Sequence, residues 1–260
     1  MTTLKIYQID AFANQVFKGN PAAVIPLEKW LPSAVMQKIA AENNLSETAF
    51  FVKQATHFEI KWFTPTIEIE LCGHATLASA FVIFNYLKYD KNEIHFICQV
   101  GDLFVKKEAD WIKLNFPSIE TQSIKTPAIV AQAIGTHPIA FYDSKTKLVA
   151  LLDDEESVKN CQPDFTLINQ LEKSLLITAK GKEVDFVSRY FAPQLGVNED
   201  PVTGSAHSVL IPFWSKKLNK TALTAIQLSQ RTGYLKCNYL NDRVEMSGQA
   251  ICYMIGEIFI

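Results

Sequence analysis

One stretch limits the architecture more than any other: ATLASAFVIFNYL, residues 75–87, thirteen positions without a charge. It falls short of the roughly 20 residues that a membrane-spanning helix requires. A helix that is apolar on every side must instead be covered on every side, so the run predicts a buried helix with a fold built around it. Short β-rich segments flank it: KIYQIDAF and SETAFFV before, HFEIKWFT just upstream, then IHFICQV, DLFVKK and WIKLNF. Each mixes β-branched and aromatic residues between polar or glycine-containing turns. Between them, Pro32 to Asn43 carries apolar residues at helical spacing, with Asn43-Asn44 as its stop. Gly19, Asn20 and Pro21 read as the turn of a hairpin.

The second half repeats this grammar. AFYDS, KLVALL, SLLITAK and DFVSRYF read as strands and SAHSVLIPFWSKKL as a helix. The segment 117–128, PSIETQSIKTPA, has the composition of a linker, which places a boundary between lobes at 1–118 and 119–260, the last strand being free to pack back on the first lobe. Set side by side, IELCGHATLASAFVIF and DPVTGSAHSVLIPFW share a polar approach, a glycine and small residues opening an apolar helix. Such a match suggests an internal duplication with one glycine-opened helix start per lobe. The fold class expected is α+β.

Composition excludes several functions. Net charge is -2 from 25 Lys plus Arg and 27 Asp plus Glu, with no basic block to attract nucleic acid or a membrane surface. The five cysteines are scattered without a C-x-x-C pair, which argues for reduced thiols, a cytoplasmic setting and no zinc or redox centre. The N-terminus lacks a secretory layout. No G-x-G-x-x-G or Walker loop is present, and TGSAH lacks the second glycine of an esterase elbow.

The two helix starts remain as chemistry. First-turn N–H groups hold carboxylates or phosphates, and Gly73 and Gly204 would let a ligand approach the backbone. Taken singly, either glycine is more commonly a plain turn residue. Glu47 lies between Ser46 and an apolar run, a setting that suits proton transfer, though a capping or strand-edge role fits its spacing as well. His74 borders the first helix start. Asp200 is fixed in an extended conformation by Pro201, and Ser205 follows Gly204 directly. His207 reads as a packing residue on the second helix; His57, His95 and His137 show no metal spacing.

Four segments, DAFANQVFKGNPAAV, NNLSETAFF, WFTPTIEIELCGHATLASA and GVNEDPVTGSAH, together resemble the PhzF-like phenazine-biosynthesis family, relatives of diaminopimelate epimerase. The resemblance implies a diaminopimelate epimerase-like fold: two pseudo-symmetric lobes, each a β-barrel-like sheet around a central apolar helix, with the active site in the cleft between. It implies a homodimer acting on a small carboxylate-bearing molecule without metal or organic cofactor. It places the general acid/base on Glu47, with His74, Asp200 and Ser205 as catalytic-site polar groups. Gly73, Gly204 and, at the border, Asn20 would contact substrate. The epimerase relatives use two opposed cysteines; Cys72 stands at the first place, but Thr203 occupies the second, and a threonine hydroxyl is too weak an acid to replace a thiol. The expected activity is a proton-transfer isomerisation, a double-bond shift or tautomerisation. Two alternatives are a Cys72-dependent racemase and a catalytically inactive small-molecule-binding protein of the same fold.

Overall fold

The computed structural model describes residues 2–260 and divides them into two compact units. The first takes residues up to Asn115 together with Ser247–Ile260; the second is Phe116–Met246. In chain order the first contributes β1 (Thr3–Ala11), β2 (Asn20–Leu27), α1 (Ser33–Asn43), β3 (Glu47–Lys53), β4 (Phe58–Phe63), β5 (Glu68–Ile69), α2 (Gly73–Tyr86), β6 (Glu93–Cys98), β7 (Gly101–Glu108) and β8 (Trp111–Pro117). There follow β9 (Thr121–Ile124), α3 (Ala128–Ile134), β10 (Ala140–Ser144), β11 (Lys147–Leu151), α4 (Glu155–Asn160), α5 (Phe165–Ile168), β12 (Ser174–Lys180), β13 (Phe186–Ala192), β14 (Val197–Glu199), α6 (Gly204–Leu218), β15 (Ala222–Gln227), β16 (Gly233–Leu240), β17 (Arg243–Gly248) and β18 (Ala250–Phe259). The chain is α+β throughout.

Strand pairing exposes a duplication. In the first unit β1 pairs antiparallel with β2, β2 parallel with β3 and β3 antiparallel with β4; β4 meets β5 antiparallel and β6 parallel, and β6 pairs antiparallel with β7. The second unit repeats each step with β10 through β16 in the same places. Helix α2 lies between β5 and β6, and α6 between β14 and β15, at equivalent points of the two repeats. The final strand β18 returns to pair with β1 along its full length.

Burial explains why the central strands are almost continuously apolar. In β2, Ala23, Ile25 and Leu27 join Met36 and Ile39 of α1 and Phe50 and Phe63 in one core. The alternate residues Ala22 and Val24, also fully buried, must face the other side of the sheet. Helix α2 packs against β1, β2 and β3, and Gly73 through Ala80 are buried without interruption. The second unit has its own core, in which Val130, Ile134 and Val158 pack on Phe141, Leu175, Ile177 and Phe191.

Two local expectations need correction. The linker-like segment contains strand β9, paired antiparallel with β10, and leads into α3. Asn20 and Pro21 are the first residues of β2 rather than the turn; Gly19, at φ +68°, makes the bend. No helix among the described residues is long and apolar enough to cross a membrane.

Candidate active site

Three chain segments of the first unit end at one place. Helix α1 closes on Asn44 in the left-handed region, and soon afterwards β3 begins at Glu47, in register with Ala22 on β2. The hairpin sets Asn20 at the start of β2, opposite Ala11. A Cβ on Gly19 would fall 2.1 Å from the Ala11 carbonyl oxygen, so only glycine admits this return. Extended Cys72, with φ -139° and ψ 116°, turns the chain into α2, so that Gly73 and His74 form its first turn.

His74 is the centre of this cluster. Its Nε2 lies 3.0 Å from Glu47 Oε2, with side-chain exposures of 4% and 15%. This is an ion-pair contact rather than an aligned hydrogen bond, since neither atom completes one. Nδ1 faces Asn20 Nδ2 at 3.1 Å and Cys72 Sγ at 3.5 Å. Burial, reinforced by the Glu47 charge, raises the Cys72 thiol above its ordinary pKa, against a smaller lowering by His74. For His74, burial acts to lower the value, but the contacts with Cys72 and with the Glu47 carboxylate outweigh it and raise the imidazole well above 6.5. The buried thiol stays protonated, so Glu47 supplies the charge that favours an imidazolium.

The ligand atoms of Glu47, Cys72 and His74 all lie within 4.8 Å of one another, a grouping that no sequence spacing announced. The imidazole stands between the other two, turning one nitrogen to each. With one ligand atom from each, these three side chains are the ones among the described residues that could hold a metal ion.

The second unit carries the equivalent structure around Thr203. Like Cys72, Thr203 is extended, at φ -113° and ψ 105°, and starts an apolar helix at the following glycine. Neither residue caps its own helix with its side chain, so the first-turn N–H groups of α2 and α6 are not occupied in that way. Each N-cap carbonyl is bonded from four residues on: Thr76 Oγ1 donates to Cys72 O, and His207 Nδ1 pairs with Thr203 O at 2.9 Å. Burial lowers the His207 pKa to about 4, only partly opposed by that backbone bond. His207 is therefore neutral and donates from Nδ1. Asp200 accepts a hydrogen bond from the Thr203 hydroxyl, while Ser205 is exposed on the first turn of α6.

Asn20, Glu47, Cys72, Gly73 and His74 thus converge in the first unit, and Asp200, Thr203, Gly204 and Ser205 in the second. Sequence reasoning missed the residues that hold the second cluster. Arg189 on β13 grips Glu199 with two hydrogen bonds of 2.7 and 2.9 Å and also donates to the Cys161 carbonyl at 2.7 Å, fixing the strand that leads into Asp200. Gln227, wholly buried at the end of β15, bonds the loop itself.

The model of the phenazine biosynthesis-like protein family matches residues 9–256. The chain belongs to that family. It is 44% identical over 256 residues to a protein of Pseudomonas aeruginosa named an uncharacterized isomerase, covering 98% of each chain. A crystal structure of a PhzF-family phenazine biosynthesis protein from Enterococcus faecalis superposes with a TM-score of 0.97 at 48% identity, over the whole of both chains. A predicted epimerase of P. aeruginosa, 18% identical and 99% covered on both sides, shares the fold at a TM-score of 0.73. The duplicated α+β fold is thus that of the PhzF and epimerase-like proteins, and the chain is an enzyme of the isomerase type.

Proposed function

We propose that this PhzF-like protein is a cofactor-independent isomerase that moves a proton within a small carboxylate-bearing metabolite, with Glu47 as the general acid/base. The observation that carries this reading is the half-buried Glu47 carboxylate held 3.0 Å from His74 Nε2 beside the first turn of α2. Glu47 would take a proton from one carbon of the substrate. The electron pair left behind shifts the double bond, and the protonated Glu47 then returns its proton to a second carbon. His74 holds the carboxylate in place and supplies a positive neighbour to it. The uncapped N–H groups that open α2 and α6 suit the substrate carboxylate and the negative charge that develops on deprotonation. Asp200 and Ser205 would orient the substrate's polar groups.

Cys72 is the competing acid/base. Its thiol lies against His74, but burial and the neighbouring carboxylate disfavour the thiolate such chemistry needs. Glu47 offers a carboxylate on the other side of the same imidazole. The test is hydrogen–deuterium exchange at carbon in a panel of small amino and hydroxy acids, cyclic ones included. Exchange that vanishes with Glu47→Gln supports the assignment; exchange that survives there and vanishes with Cys72→Ala transfers it to the thiol. Exchange that persists after chelator treatment supports independence from metal.

A further inference from the structure

We infer that Gln227 is a positioning residue of this enzyme, acting through Thr203 to hold the Asp200 carboxylate as a hydrogen-bond acceptor. The inference rests on the reading of Asp200 as a substrate-orienting group. Gln227 is fully buried at the last position of β15, paired with Gly233 on β16 and beside Ser188 on β13. Two backbone groups of opposite sense fix its amide orientation. Oε1 accepts from the Thr203 N–H at 2.9 Å, and Nε2 donates to the Asp200 carbonyl at 2.7 Å. Flipping the amide would set donor against donor and acceptor against acceptor.

With that orientation fixed, the direction of the remaining bonds follows. Nε2 also donates to Thr203 Oγ1 at 3.2 Å, so the Thr203 hydroxyl directs its own hydrogen to Asp200 Oδ2. The sequence amide, hydroxyl, carboxylate is a one-way chain of donors that ends on Asp200 as an acceptor. The loop is clasped at neighbouring points as well: Asp200 N–H donates to the Tyr190 carbonyl at 3.1 Å, and Ser229 Oγ donates to the Pro201 carbonyl at 2.8 Å. Thr203, at the position equivalent to Cys72, therefore has a defined task. Its hydroxyl aims its neighbour and favours the charged form.

The test compares wild type with Gln227→Met, Thr203→Val and the double variant. Gln227→Met keeps the length of the side chain and adds no charge, but nothing then donates to the Thr203 hydroxyl or directs its hydrogen to Asp200. The Asp200 side-chain carboxyl, followed by carbon-13 NMR during titration, should show an upward midpoint shift of similar size in both single variants, with no further shift in the double variant. On whichever panel compound wild type exchanges, all three should lose about tenfold in kcat/KM, without summing. Should Gln227→Met fail to fold, Gln227→Asn, one methylene too short, takes its place. An Asp200 midpoint unchanged by the Gln227 substitution, or shifts that add in the double variant, overturns the inference. If Glu47→Gln retains exchange, the proposed reaction fails, yet the carboxyl titration still judges Gln227.

Discussion

Replacing His207 by asparagine should flatten the acid side of the protein's stability profile. His207 is buried, its Nδ1–H bonds the Thr203 carbonyl, and its Nε2 meets no acceptor that could receive a second proton. Burial places its folded pKa at about 4, against 6.5 for a free imidazole. The unfolded chain therefore binds a proton that the folded chain refuses. Above pH 6.5 neither state is protonated here and stability is unaffected. As pH falls from 6.5 towards 4 the unfolded state gains progressively, and below 4 the loss levels off. For these values the linkage gives a loss of about 2 kcal/mol on going from pH 8 to pH 5, rising to roughly 3 kcal/mol at full effect. The side-chain amide introduced by His207→Asn would keep the bond to Thr203 O through its NH2 group and has no proton to gain. Urea unfolding followed by tryptophan fluorescence at pH 8 and pH 5 measures both proteins, and titrating groups common to both cancel in the difference. Wild type should lose about 2 kcal/mol more than His207→Asn. Equal losses would show that His207 is not held neutral, and would remove the basis for a donating Nδ1 at the start of α6.

Other substitutions test the supports around the two clusters. Arg189→Met leaves the Glu199 carboxylate and the Cys161 carbonyl without their donor and should cost about 3–5 kcal/mol in urea unfolding, while Arg189→Met combined with Glu199→Leu should recover a large part of that loss. Gly19→Ala forces a left-handed residue against the Ala11 carbonyl and should cost roughly 2 kcal/mol or more, with a loss of exchange activity as Asn20 is displaced from His74. Ser205→Ala, at an exposed position, should leave stability within about 0.5 kcal/mol of wild type and lower turnover about tenfold, measured by unfolding and exchange on the same preparations.

The parts of the fold legible in sequence were those with strong pattern. The uncharged run at 75–87 announced α2, because covering an apolar helix leaves few architectures, and the glycine-opened repeat announced α6. Strand β9 was hidden because its residues, Thr121 to Ile124, are largely exposed and polar, so no alternation marks them. Helices α4 and α5, of six and four residues, are too short for a period to show. In the site, Glu47 and His74 were nominated by motif, but their 3.0 Å contact joins residues 27 positions apart through a parallel strand pair and a helix start. Gln227 and the Arg189–Glu199 pair were illegible for the same reason. Each draws its meaning from partners brought by other strands, and a lone glutamine at a strand end carries no signal of the loop it will hold. Cys72 read as the counterpart of one epimerase thiol; the structure buries it and sets it against the His74 imidazole.

The central claim is that Glu47 carries the proton. The most direct measurement is deuterium incorporation at carbon by NMR in D2O, with wild type, Glu47→Gln and Cys72→Ala run side by side on the acid panel. We predict exchange in wild type, a loss of about 10²- to 10⁴-fold in Glu47→Gln, and a rate within a few-fold of wild type in Cys72→Ala. Full exchange in Glu47→Gln, with loss in Cys72→Ala, would contradict the assignment and make the buried thiol the acid/base.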